Sequence, residues 1–113
     1  MAEMKRIPAR FYRNENGNEP VREWLRGLAA KEKRAIGIDI MTVEYGWPIG
    51  MPTCRPLGRG LWEVRTSLET RIARVLFCVR EDEMILLHGF IKKSQRTPAA
   101  DLEIARKRQK EVS

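Results

Sequence analysis

Positive side chains recur in this chain at positions from which they can meet. Arg65 lies in "LWEVRTS" (61–67), Arg71 and Arg74 in "RIARVLFCV" (71–79), and His88, Lys92, Lys93 and Arg96 in "LLHGFIKKSQRTP" (86–98). Side chains alternate across a strand, so parity decides which of them converge. Ala73, Val75, Phe77 and Val79 share one wholly apolar face, which leaves Arg74 on the other with Leu76 and Cys78. Trp62 and Val64 point inward by the same rule, and Glu63 and Arg65 outward. Leu86, His88, Phe90 and Lys92 share one parity. One sheet face thus gathers Arg65, Arg74 and one or more of His88, Lys92 and Lys93. Crowded cations repel, and a phosphate-binding site would justify that cost. A salt-bridged face is the other reading, with Glu63, Glu69 and the acidic turn at 81–83 as partners. Parity alone does not choose between them.

Charge distribution leans the same way. The net charge of +7 comes from 22 basic and 15 acidic residues. Residues 1–54 hold 9 basic and 7 acidic residues and residues 55–113 hold 13 and 8, so +5 lies in the second part. That asymmetry favours a polyanionic partner. At 113 residues the chain is a single domain, 1–113. No apolar run of about 18 residues is present and the N-terminus has no secretory pattern, so a cytoplasmic protein with no membrane partner is expected. Cys54, Cys78 and the lone His88 cannot supply four zinc ligands. Cys78, inside an apolar strand, reads as a buried thiol, while Cys54 could be buried or exposed.

The elements that must hold these residues follow from periodicity. "KRIPARFYR" (5–13) reads as a first strand, closed by the turn formers of "NENGN". Pro20 suits a first helical turn capped by Asn18 or Glu19, and Val21, Trp24, Leu25 and Leu28 form one helical face. A second helix over about 31–45 uses Ile36, Ile40 and Val43, making a helical hairpin. Gly37 weakens it by about 1 kcal/mol relative to Ala and suggests close packing. Residues 46–60, with four Gly and three Pro, read as a loop. Three strands follow at 61–67, 71–79 and 84–91 as an antiparallel meander. Thr97 then caps a helix over about 98–111, with Pro98 at its first position. The "RKRQK" of that helix reads as a solvated face. The order is β-α-α-β-β-β-α.

Four segments together carry a family pattern: "RFYRNENGNEPVREWL", "PLGRGLWEVRT", "RIARVLFCV" and "LLHGFIKKSQRTPAADLEIARKR". In order and spacing they resemble the HigB-like toxins, the phage-derived Gp-type branch of the RelE superfamily of type II toxin–antitoxin systems. The resemblance covers about Lys5 to Lys110. It implies an α+β, RelE-like fold, with a helical hairpin packed on one face of a small antiparallel sheet plus a C-terminal helix. It also implies an endoribonuclease that cuts mRNA on the ribosome, and a helix-turn-helix antitoxin as partner. Arg74 matches the arginine of the family's Y-R-I-L-Y strand, which contacts the scissile phosphate, and Arg65 matches the arginine ending E-L-R. Lys92 and Lys93 lie where relatives carry basic residues, with Arg71 and Arg96 as further RNA contacts. Ala73 and Phe77 stand where relatives carry tyrosines, so a tyrosine base is missing from its expected place.

RNA carries its own nucleophile, the 2′-OH, so cleavage needs a proton acceptor, a proton donor and stabilisation of charge on phosphorus. Arginine suits the last, because its planar fork meets two phosphate oxygens. Lys92 and His88 are candidates for proton transfer, though a histidine packed against a neighbour is an equal reading for His88. No cofactor or metal is required. Trp47 either stacks on a base or is pinned against the core. Two other functions compete: a ParE-like toxin that poisons gyrase without cutting RNA, and an inactive basic RNA-binding module.

Overall fold

Apolar alternation in the second half of the chain builds the sheet, and the computed structural model describes it within residues 4–92 and 96–112. The elements are β1 (Ala9–Phe11), α1 (Pro20–Arg26), α2 (Ala30–Gly46), β2 (Cys54–Gly58), β3 (Leu61–Ser67), β4 (Ile72–Arg80), β5 (Glu83–Lys92) and α3 (Ala99–Glu111). The fold is α+β, as the RelE-like resemblance implies. The sheet runs β1-β5-β4-β3-β2, antiparallel except for β1, which pairs parallel with β5. It is therefore a five-stranded mixed sheet rather than a small antiparallel one. The extra strand is β2, which lies inside the tract expected to be loop. Backbone pairing of Cys54, Arg55 and Pro56 with Val64, Glu63 and Trp62 makes that tract an edge strand, where a proline costs little.

The sheet is covered on both faces. On one face Ala73, Val75 and Phe77 pack with Val64, Ile36, Val43 and Val21, under α1 and α2. Trp24 lies flat on Gly89, where an added Cβ would sit 2.3 Å from the ring. Trp47 is pinned to this core, edge-on to Trp62 and Phe77. The other face carries Leu61, Leu76, Cys78, Ile85 and Leu87 beneath Ala105 and Leu102 of α3. Both cysteines are free and buried.

A bulge changes one strand's parity. Phe77 pairs with Leu86 and Leu76 with His88, so Leu87 is the extra residue. Leu86 consequently joins the core under the helical hairpin, while His88 and Phe90 face α3. The expectation that Leu86 shares a face with His88 fails at that single residue. The bulge is held from α3, whose Arg108 donates to the Leu87 carbonyl at 2.8 Å.

The basic end of α3 is structural in part: Lys107 and Lys110 are exposed, as a solvated face expects, but Arg106, Arg108 and Gln109 are half-buried. Arg106 donates to the carbonyls of Leu57 and Gly58 at 2.9 and 2.8 Å, and Gln109 to that of Arg59 at 2.8 Å. These carbonyls belong to the β2–β3 turn, where Gly58, Arg59 and Gly60 all have positive φ and leave acceptors turned outward. Arg108 also lies over the Tyr12 ring, and the Tyr12 hydroxyl donates to Glu111. Burial and Glu111 raise the Tyr12 pKa above its ordinary 10.0. Gly37 meets nothing within 4 Å of a built Cβ, so close packing around it is not found among the described residues. No described helix is long and apolar enough to cross a membrane.

Candidate nucleic-acid interface

Register brings the arginines together. Arg55 of β2 is opposite Glu63 of β3, and Arg65 of β3 is opposite Arg74 of β4. All four side chains point to the α3 side, at the end of the sheet that the apolar part of α3 does not cover. Like charges directly opposite on neighbouring strands are unfavourable. Glu63 offsets that repulsion. Its carboxylate lies 3.5 Å from Arg55, 3.9 Å from Arg65 and 3.6 Å from Arg74.

Arg74 and Glu63 are both wholly buried, at 0 % exposure. Arg74 is therefore on the expected face but does not meet solvent as an open phosphate ligand; its guanidinium packs in the ion cluster. Burial lowers its pKa, Glu63 opposes that shift, and Arg65 and Arg55 add to it. Arg65 and Arg55 are the more accessible members, 18 % and 30 % exposed. A cleft of about 550 Å³ borders Arg65 where the sheet meets α2, lined by Ala35, Ile38 and Asp39 of that helix with Pro52, Thr53 and Ile72.

Thr97 closes the cluster from the α3 side. It was expected to cap α3, but Pro98 occupies the N-cap and no side chain caps that helix. The Thr97 hydroxyl instead donates to Glu63 at 2.7 Å and accepts from Arg55 at 3.0 Å. Next to it, His88 Nε2 lies 2.7 Å from Asp101 in the first turn of α3 and stacks on Phe90. The histidine is thus both packed and oriented by a carboxylate, 15 % exposed. Lys92, opposite Ile72, is exposed on the same face, and Arg96 is exposed between β5 and α3.

One expected residue falls elsewhere. Arg71 precedes β4 and pairs with Glu32 of α2, on the hairpin side. It does not join the cluster because its parity is that of Ala73. Lys93 lies outside the described residues. Sequence reasoning missed Arg55, Thr97 and Asp101, and placed Glu63 only as a surface partner. Arg55 was hidden by the proline and glycines around it, in a tract that carries no strand signal of its own.

With this geometry in place, one comparison decides the family. The model of the phage-derived protein Gp49-like family (DUF891) matches residues 23–110. This chain belongs to that family. The Gp49-like family is one of RelE/toxin-type proteins, and the match runs from α1 through α3, so it spans every strand that supplies the arginine cluster. No curated protein matches the chain. In the Gp49-like chain burial, with Glu63 nearby, raises Cys54 to about 11, and burial also raises Cys78.

Proposed function

We propose that this Gp49-like protein is the toxin of a type II toxin–antitoxin pair, and that it cleaves mRNA at the ribosome on its α3-side sheet face. The observation that carries the proposal is the gathering of Arg55, Arg65 and Arg74 from three adjacent strands, with Lys92 and His88 on the fourth. Guanidinium forks at one end of a sheet suit a phosphodiester better than a neutral ligand.

In the proposed reaction the 2′-oxygen attacks the adjacent phosphorus, and the P–O5′ bond breaks. The 2′ proton passes to a base and the departing 5′-oxygen receives one, giving a 2′,3′-cyclic phosphate and a 5′-hydroxyl. Arg65 stabilises the phosphorane oxygens, as it is a cluster arginine that keeps part of its side chain in solvent while Arg74 is wholly buried. Arg74 acts through it, as a positioning residue. His88, oriented by Asp101, and exposed Lys92 are the proton-transfer candidates. The partner that restrains the toxin is a helix-turn-helix antitoxin, and the working compartment is the cytoplasm.

Arg74→Ala is a poor test, because it would strand the buried Glu63 carboxylate. Arg65→Ala combined with Lys92→Ala leaves the buried Arg74–Glu63 pair in place. Expression of the natural chain should stop growth and truncate messages, and the double variant should restore both growth and intact messages. Growth arrest with uncut messages and inhibited supercoiling would replace the ribonuclease with a gyrase poison. RNA binding without cleavage in translating extract would point to the inactive binding module.

A further inference from the structure

Arg55 enters the cluster from the edge strand β2. One of its terminal nitrogens donates to Thr97 at 3.0 Å and lies 3.5 Å from Glu63. Its Nε is buried and meets no acceptor among the described residues. A guanidinium donor shut away from water without an acceptor is costly, and a ligand oxygen at that flank would relieve the cost. The side chain as a whole is 30 % exposed, so a ligand can approach Arg55 although Nε itself is covered.

Glu63 is the second half of the argument. A carboxylate at 0 % exposure with three guanidinium groups within 3.5–3.9 Å sits as an oxyanion would in an arginine claw. It fixes the directions in which the Arg55 and Arg65 guanidinium groups point. Thr97 holds the same pair together by bonding both Arg55 and Glu63.

We infer that Arg55 is a further anion contact of this site, and that Glu63 is the positioning residue that aims Arg55 and Arg65 at a phosphate oxyanion. Planar forks from two neighbouring strands can each meet two oxygens, which selects a phosphate over a halide or a lone carboxylate. That the phosphate belongs to an RNA backbone rests on the function proposed above. Phosphate binding itself does not, so the two can fail separately.

The test titrates the full chain with inorganic phosphate at constant ionic strength, followed by calorimetry. The natural chain should saturate. Arg55→Met should weaken binding by roughly tenfold, and Arg55→Lys should also weaken it, since the charge stays but the fork is lost. Arg22→Met, which removes one charge from an exposed pair with Glu19, should bind as the natural chain does. Glu63→Gln gives a test by sign. It makes the site more positive, so a carboxylate that merely competes with phosphate predicts tighter binding, whereas a positioning carboxylate predicts weaker binding. Should Glu63→Gln not fold, Thr97→Val cuts the same bridge without changing charge and should weaken phosphate binding. Unsaturable binding by the natural chain, or unchanged affinity in Arg55→Met, overturns the anion contact. Tighter binding in Glu63→Gln, or unchanged binding in Thr97→Val, overturns the positioning role. If phosphate binds as described but messages stay intact in translating extract, the ribonuclease reading alone falls.

Discussion

On the face beneath α1 and α2, β4 presents Ala73, Val75 and Phe77 to Ile36, Val43 and Val21. On the face beneath α3 the same strand presents Cys78 and Leu76, then Arg74. Apolar contacts on the first face are non-directional and depend mainly on volume, so several side chains of similar size would fill it. The second face changes character along its length. Its apolar end packs in the same way, but its charged end is held by the ion pairs of Glu63 with Arg55, Arg65 and Arg74 and by the bonds of Thr97 to Arg55 and Glu63. One sheet therefore carries a core that tolerates exchange and a cluster that does not.

Removing one member of the buried cluster should give the largest effect. Arg74→Ala leaves Glu63 buried beside a lost partner and should cost about 3–5 kcal/mol in urea unfolding. Replacing both, as Arg74→Met with Glu63→Leu, should recover part of the loss. A single variant within about 1 kcal/mol of the natural chain would dissolve the contrast between the faces.

Overpacking tests the hairpin face. Gly89→Ala drives a methyl into the Trp24 ring and should cost about 1–3 kcal/mol, with Trp24→Leu in the same background restoring much of it. If Gly89→Ala were neutral, that face would be looser than Trp24 on bare backbone suggests.

Alkaline titration separates the faces by chemistry. Cys54 is raised from 9.0 to about 11, so the folded chain holds its proton where the unfolded chain has lost it. Its contribution is fully present below pH 9 and is lost as pH rises through about 11, up to about 2–3 kcal/mol. Tyr12, also raised, adds a loss beginning above pH 10. Cys54→Ala should flatten the fall in stability between pH 9 and 11, and Tyr12→Phe the fall above pH 10. Unfolding free energies measured across that range give the answer; identical slopes in natural and variant chains would mean that neither group resists ionisation.

The smallest expected change lies where α3 clamps the β2–β3 turn. Arg106→Leu removes two charge-assisted bonds to carbonyls that water can partly replace, and should cost about 1–2 kcal/mol by chemical denaturation. A loss as large as that of Arg74→Ala would place the clamp on a level with the buried cluster.

Most of the architecture was readable because period and turn chemistry are local properties. Val21, Trp24 and Leu25 announce a helix, and Glu81 and Asp82, both at positive φ, turn β4 into β5 where the acidic run was expected to. β2 was unreadable, because its strand state comes from pairing with β3 and not from the preferences of "CRPLG". The bulge at Leu87 was unreadable too: nothing in "ILLHGF" says which residue is extra until α3 supplies Arg108 as a partner for its carbonyl. Of the candidate site, the shared face of Arg65, Arg74, His88 and Lys92 was legible from alternation. Their exposure was not, since it depends on what lies over them.

Residue order alone determined the helical hairpin, the three-stranded meander, the shared side of Arg65 and Arg74 and the basic surplus of the second half. Each follows from chemistry within a few residues of chain. Tertiary contact decided which of those cations are covered, which carboxylate gathers them and that Arg55 belongs among them. Burial and ion pairing are set by groups far apart in sequence, here Glu63 and Thr97 at 2.7 Å across 34 positions, and no local pattern encodes that meeting.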